Sequence, residues 1–414
     1  MTDRLARLGT RVVSSPWIPW ALLGVTVLLH VAFQALGTDG FKMIDLRVYV
    51  DGTKHLTDGA LYDFTSGVEV LPFTYPTFAA LLFSPLGLLP WPVVAVGWQI
   101  ASLAALVVMI VCSLRMLGRA GHRADRPLEH LRGTVVTATA IAFWLEPVRS
   151  TFNYGQINLF LAALLLAGAS AAGRRRDVWA GLSVAVAAGI KVVPAVTGLY
   201  YLLARRWVAA AWSIGFFLAA LGVSFAFLPS QTWRFFTQLM FDPTRTGAIW
   251  VTRNQSWRGT VYRLFGHDHT AAWILLSVLS LAVGIWAISR AARAGDGLAA
   301  LVGTQIVGLL ISPVSWSHHW VWVVPLLLWC LFGPRSAVRA VRRLGWAWAA
   351  VCLLYVVIFL IMIQNGHLEF AAGRPIWESV LDAVYPVLGF AALVVIGTVH
   401  RAVAAPSRDH AVRS

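Results

Sequence analysis

Residues 43–52 read MIDLRVYVDG and come soon after the first long apolar run, PWIPWALLGVTVLLHVAFQAL at 16–36. The run is long enough to cross a bilayer as a helix. If the stretch after it is also helical, the 3.6-residue period places Arg47, Asp51, Lys54 and Asp58 on one polar stripe. Asp45 is not on that stripe. It falls with Val48, Tyr49, Gly52 and Leu56 on the opposite face, where a carboxylate points at protein or membrane and is costly unless something pairs with it or uses it. The plain structural alternative is an N-cap, since a carboxylate at a helix start also meets the positive end of the dipole.

Working outward, the 414 residues are 58% hydrophobic and only 12% charged, with a mean hydropathy of +0.72. These values exclude a soluble globular domain. Apolar runs of spanning length recur from about Pro16 to His400, and no stretch between them is long enough for a separate soluble domain. The expectation is an all-α polytopic membrane protein, with residues 1–414 forming one integral membrane domain. The net charge of +15 sits in arginine clusters between the runs, which is the positive-inside pattern and not a nucleic-acid footprint. Arg4, Arg7 and Arg11 precede a first run without a small-residue cleavage site, so it reads as an uncleaved signal anchor. Cys112, Cys330 and Cys352 lie in or beside apolar runs and read as small packing residues.

Hydropathy predicts about twelve spans, at roughly 16–36, 91–114, 134–145, 157–172, 178–190, 192–204, 207–228, 271–290, 297–313, 319–333, 345–363 and 376–399. If the basic connections are cytoplasmic, residues 73–90 cannot be a full crossing. Pro76, Pro85 and Pro90 break that stretch into pieces suited to a re-entrant or interfacial hairpin. Loop and juxtamembrane helices at 37–90 and a second segment at 229–270 then lie outside, with 146–158, 312–320 and 365–379. The spans at 134–145, 178–190 and 192–204 are short, as helices around a polar cavity often are. Trp233, Phe235, Phe236, Trp250, Trp257, Trp316 and Trp320 crowd the outer loops, as an interfacial belt or as platforms for sugar rings. Nucleotide-binding glycine loops, metal-spaced Cys/His sets and internal repeats are absent from the sequence.

Ionisable residues at the mouth of such a bundle are candidates for function. Beside Asp45, Lys191 in AGIKVVPA lies between two short apolar helices with no acidic residue nearby in sequence, and an anion such as a lipid phosphate suits it. Glu146 and Arg149 flank Pro147 and either pair with each other or serve a ligand. Arg258, with Arg253 and Asn254 in RNQSWRGT, offers a phosphate fork or a solvated loop cation. His318 and His319 point about 100° apart on a helix, so one at most faces a given site. One isolated carboxylate, several cations and many aromatics suit transfer of a sugar from a lipid phosphate, with the carboxylate deprotonating an acceptor hydroxyl and cations holding the leaving phosphate. A hydrolytic glycosidase would instead want two facing carboxylates.

The combination and order of DLRVYVDG, LYDF, LPFTYPTFAALLFSPLG, NYGQINL, GIKVVP, NQSWRG and SPVSWSHHWVW resemble the actinobacterial polyprenyl-phosphate-mannose-dependent alpha-1,2-mannosyltransferases, and within them the members that extend phosphatidylinositol mannosides. The resemblance covers residues 40–330, roughly, and implies a GT-C glycosyltransferase fold in the plasma membrane with its active site facing the extracytoplasmic side. It implies a polyprenyl-phosphate-mannose donor, a phosphatidylinositol mannoside acceptor, transfer with inversion, and no metal or other cofactor. The essential aspartate carries over to Asp45 as general base, and a late-loop histidine to His318 or His319. Tyr75, Arg149, Asn153, Gln156, Lys191, Asn254 and Arg258 complete the expected substrate-binding set. Thr77 departs from the pattern, standing where a second proline is expected. Two other readings stay open: an arabinofuranosyltransferase using decaprenyl-phosphate-arabinose, and a lipid or polyprenol flippase.

Overall fold

The structure is a computed structural model that describes residues 12–36, 42–67, 70–118, 128–172, 176–364 and 375–400. The protein is an all-α membrane protein. Four helices are long and apolar enough to cross a bilayer: Ile18–Leu36, Trp91–Met116, Trp207–Phe227 and Thr270–Arg293. Three more candidates are bent pairs, Glu146–Tyr154 with Asn158–Ala171 at 118°, Arg339–Leu353 with Val356–Ile363 at 40°, and Ile376–Asp382 with Val384–Val399 at 50°. Length and composition therefore support four to seven crossings among the described residues. The twelve expected above would also need shorter apolar helices such as Asp177–Ile190 and Gly297–Ile311.

Residues 73–90 form a helix at Thr77–Phe83 and a 3-10 turn at Ser84–Leu88. Together these are about 20 Å long, well short of a ~30 Å hydrocarbon core. Thr77 is fully buried, and its hydroxyl meets that of Thr232 at 2.9 Å, tying this segment to the helix Pro229–Thr237. A proline at 77 would lack that bond. Expectations for 365–374, the basic residues of 119–127 and the tail from Arg401 lie outside the described residues.

The amphipathic stretch is a helix at Ile44–Thr53, started by Met43 in a left-handed conformation. Asp45 is thus its second residue, with Met43 at the N-cap position, which replaces the N-cap reading. Val48, Tyr49 and Gly52 are buried, as the periodicity requires, together with Leu46. The polar stripe is shorter than expected because the helix stops at Thr53. Arg47 lies over the Trp91 ring at 3.4 Å, Asp51 accepts from Lys54 at 2.8 Å and Ser66 at 3.0 Å, and Asp58 meets His55 at 2.7 Å in the turn beyond.

Gly155 decides how this helix docks. It ends Glu146–Tyr154 with φ of 67°, in the left-handed region that favours glycine. A β-carbon there would sit 2.7 Å from that of Leu46 and 3.0 Å from that of Met43. After the sharp bend at Gly155, Gln156 lies within hydrogen-bonding distance of Tyr49 on the Ile44–Thr53 helix.

Close packing by small residues recurs in the bundle, where apolar lipid supplies no hydrophobic drive between helices. Helix Asp177–Ile190 packs on both Asn158–Ala172 and Trp207–Phe227. A β-carbon on Gly181 would fall 2.3 Å from that of Trp212 and 2.7 Å from the Ser213 backbone nitrogen, whereas one on Gly215 meets nothing within 4 Å. Cys112, Cys330 and Cys352 are buried, in keeping with a packing role. Gly181→Ala is expected to destabilise the protein by about 1–3 kcal/mol through overpacking against backbone. Gly215→Ala should leave stability unchanged or slightly raised, and thermal unfolding of the two variants in detergent checks the contrast.

Candidate functional site

A cavity of about 610 Å³ lies where the Ile44–Thr53 helix, the 71–76 segment, the 191–193 break, the 235–246 segment and the 312–319 turn converge. Asp45, half-buried, is in its wall. Burial pushes the Asp45 carboxyl up to about 6, while a hydrogen bond from Gln156 and the nearby Lys191 charge act in the opposite direction. The Gln156 amide is oriented for this by two tyrosines. Its Oε1 lies 3.1 Å from the Tyr49 hydroxyl and 3.3 Å from that of Tyr75, and the two hydroxyls are 2.9 Å apart. Whichever tyrosine donates, Oε1 is the acceptor, and the amide N–H groups are left for Asp45.

Lys191 follows the helix Asp177–Ile190 in an extended conformation, at the break before the 3-10 turn Val193–Val196. Its ammonium donates to Asn158 Oδ1 at 3.1 Å and to His319 Nε2 at 2.9 Å. Both acceptors are neutral, so the charge of Lys191 is not cancelled by them and a third N–H remains. Asn158 is held in turn, because its Nδ2 donates to the His318 carbonyl at 3.0 Å. That bond sets which side of the amide faces Lys191.

The adjacent histidines diverge, as their spacing predicted. His319 is in the cavity wall; His318 is not. The buried His318 ring packs edge-on to Tyr154 at 5.3 Å and to His319 at 4.9 Å, and neither ring nitrogen has a partner among the described residues. The turn carrying both is braced from below. Gln255 N donates to Ser315 O at 2.7 Å, Ser317 N to Arg253 O at 2.8 Å, and Ser315 N to Asn254 Oδ1 at 2.9 Å. Asn254 is fully buried and also donates to the carbonyls of Ile249 and Pro313, so it is part of this brace and not of the cavity wall.

Glu146 and Arg149 do not pair. Glu146 accepts from Ser150 at 2.7 Å, Ser317 at 2.9 Å and Tyr385 at 2.7 Å, so it too anchors the histidine turn. Arg149 turns toward the Ile18–Leu36 helix, where it meets His30 and lies 5.4–5.8 Å from the Phe33, Phe143 and Trp144 rings. Asn153 faces the same helix, accepting from Gln34 at 3.2 Å. The cavity wall therefore brings together Asp45, Tyr75, Gln156, Lys191, Arg258 and His319 from the expected set, and does not include Arg149, Asn153, Asn254 or His318. Helix phase explains the split around Gly155, because residues 149 and 153 share a face that points away from residues 156 and 158 beyond the bend.

Arg258 is neither solvated nor an open fork. Its Nε and Nη2 contact the Asp268 carboxylate at 3.2 and 2.5 Å, and its guanidinium lies 4.8 Å from the Trp273 ring centre. Two residues of the site were not singled out by sequence. Asn158 stands in the NYGQINL motif beside Gln156, and only its contacts separate it from Asn153. Arg245 lines the cavity and donates to the carbonyls of Tyr62 and Phe73 at 3.0 and 3.4 Å, and nothing in DPTRTG marks it. Of the crowded aromatics, Phe235 and Trp316 reach the cavity, while Trp257 and Trp320 are buried in the core. Among the described residues, no three His, Cys, Asp or Glu side chains converge as a metal-binding group.

Residues 73–313, which carry most of this wall, match glycosyltransferase family 87. The chain is 41% identical over 379 residues to the polyprenol-phosphate-mannose-dependent alpha-(1-2)-phosphatidylinositol pentamannoside mannosyltransferase of Mycolicibacterium smegmatis, covering 90% of this chain and 89% of that one. It is 38% identical over 384 residues to the protein of the same name from Mycobacterium tuberculosis strain CDC 1551, covering 90% and 85%. A polyprenol-phosphate-mannose-dependent alpha-(1-2)-phosphatidylinositol mannoside mannosyltransferase of M. tuberculosis strain H37Rv is 32% identical over 426 residues, covering 98% and 95%. No solved structure matches the chain. Since the family match takes in more than half of the sequence and these relatives align along nine-tenths of it, the chain belongs to glycosyltransferase family 87.

Proposed function

We propose that the protein transfers mannose from polyprenyl-phosphate-mannose to a hydroxyl of a mannosylated phosphatidylinositol, forming an alpha-1,2 linkage, at the extracytoplasmic side of the plasma membrane. The relatives' names support the donor and linkage, and the 41% and 38% identities to the pentamannoside enzymes, against 32% to the mannoside enzyme, favour a highly mannosylated acceptor. The side of the membrane rests on charge. The arginine-rich connections 174–176 and 205–206 flank the two short helices on either side of Lys191, so positive-inside orientation puts Lys191 and its cavity on the opposite face.

The observation that carries the reaction is the convergence of Asp45, Gln156, Lys191 and His319 on one cavity. Asp45 takes the proton of the acceptor hydroxyl as the new carbon–oxygen bond forms at the mannose anomeric carbon. The bond from that carbon to the phosphate oxygen breaks with inversion, and the electron pair leaves with the polyprenyl phosphate. Lys191 stabilises the phosphate through its third N–H. His319 holds that ammonium in place from the other side. A carboxylate raised toward neutrality is a better base than an ordinary one while remaining largely ionised at pH 7.

Asp45→Asn is expected to lower turnover about 10²–10⁴-fold while keeping donor binding, whereas Asp58→Asn, on the surface, should stay near wild type. Purified protein with synthetic donor and acceptor measures both, and full activity of Asp45→Asn would sink the base assignment. A polyprenol flippase has no need of a base there. The base must be ionised, so kcat/KM should rise with pH through a limb near 6 and level off above it. Gln156→Leu removes a bond that favours the ionised form, so its limb should move to higher pH. An unmoved limb would place the titrating group elsewhere.

A further inference from the structure

We propose that Arg149 binds the phosphate of a phosphodiester lipid through its Nε and Nη2, at a site on the flank of the bundle distinct from the cavity at Lys191. The first observation is how the first span docks. Of the Ile18–Leu36 helix only Pro19, Thr26, His30 and Gln34 are buried, and the last three recur every four residues as one polar stripe. Each meets a polar group beyond the helix: Trp144 Nε1 donates to Thr26 at 3.2 Å, Arg149 meets His30, and Gln34 donates to Asn153 at 3.2 Å. Of these side chains Arg149 alone carries a permanent charge.

The second observation is that nothing in this seam offsets the charge. A guanidinium only donates, so His30 accepts on Nδ1 and carries its proton on Nε2, which donates to Gln99 Oε1 at 3.2 Å. His30 is therefore neutral. No carboxylate among the described residues pairs with Arg149, and the other ionisable group that senses its charge is the Tyr355 phenol. Arginine cannot escape by shedding its proton, and an unmatched charge in so apolar a bundle is expensive.

The third observation is what Arg149 still presents. The residue is half-buried, and with Nη1 engaged by His30, its Nε and Nη2 have no partner among the described residues and are not enclosed by the protein. Those two nitrogens make one edge of the guanidinium, the edge that holds two phosphate oxygens side by side. Arg149 is outside the cavity wall, and the Phe33 ring 5.8 Å from it is 58% exposed, so the surface it keeps is on the flank of the bundle. His30 lies six residues before Leu36, about 9 Å along the helix, toward the end of the span away from Arg4, Arg7 and Arg11. A long side chain covers most of that distance and brings its head to the level of lipid phosphates.

Thermal unfolding of the full chain in detergent, with added phosphatidylglycerol or with digalactosyldiacylglycerol, which has no phosphate, tests the site without turnover and so independently of the transferase reading. Phosphatidylglycerol should raise the wild-type Tm by about 3 °C more than the glycolipid does, and Arg149→Met should lose that difference. Arg149→Lys keeps the charge but not the two-donor edge, and should retain less than half of it. An undiminished difference in either variant, or none in the wild type, overturns the proposal. So does a loss greater in Lys191→Met than in Arg149→Met, which would put the lipid phosphate in the cavity. The source of the phosphate is read from kinetics in glycolipid nanodiscs. If it is the acceptor's own, Arg149→Met should raise KM for a phosphatidylinositol mannoside about tenfold but not KM for an alkyl mannoside without phosphate. If it is that of a bystander phospholipid, both acceptors should respond alike, and the phosphatidylglycerol shift alone carries the site.

Discussion

The structure depends on keeping a carboxylate and an ammonium near each other in a bundle that is otherwise apolar, without letting either be satisfied by a simple ion pair. Asp45 and Lys191 sense one another's charge, yet the direct partners of each are neutral: Gln156 for Asp45, and Asn158 and His319 for Lys191. A tight salt bridge would occupy both charged groups and leave neither open to a ligand in the cavity. Neutral amides stabilise the two charged forms while leaving them available, and the amides are themselves oriented by Tyr49, Tyr75 and the His318 carbonyl.

Backbone breaks make that arrangement possible. Gly155 turns the chain by 118° immediately before Gln156 and Asn158, and the absence of a side chain lets the Ile44–Thr53 helix approach. Lys191 sits at another break, in extended backbone between helical segments. The His319 turn is a third, braced by the 253–255 segment and by Glu146. Irregular backbone in a membrane bundle is tolerated where it lines a cavity or is buried in protein, and all three breaks meet this condition. The same logic separates the cations. Arg258 is neutralised, Arg245 is spent on two carbonyls, and Lys191 alone of the three is hydrogen-bonded to neutral side chains.

Much of this was legible in the residues. Composition and apolar runs determined a polytopic helical membrane protein, because chain that enters hydrocarbon must satisfy its backbone internally. The helical period set Asp45 apart from Arg47 and Asp51, and an isolated lysine between short apolar helices marked Lys191. The order of motifs pointed to the family. These are local properties: hydropathy, periodicity and spacing along the chain.

What only the tertiary structure decided is which neighbours those residues have. His319 faces the cavity while His318 turns to Tyr154, although both stand in the same turn. Arg149, Asn153 and Asn254 look like ligand residues by type, but helix phase and the packing of distant segments direct them to His30, Gln34 and the Pro313 carbonyl. Arg258 finds its charge cancelled by Asp268, and Asn158, unremarkable in sequence, joins Lys191 to the histidine turn. Asp45 and Lys191 are 146 positions apart, and no local pattern encodes that both line one cavity. Their convergence is a product of the packing of distant segments.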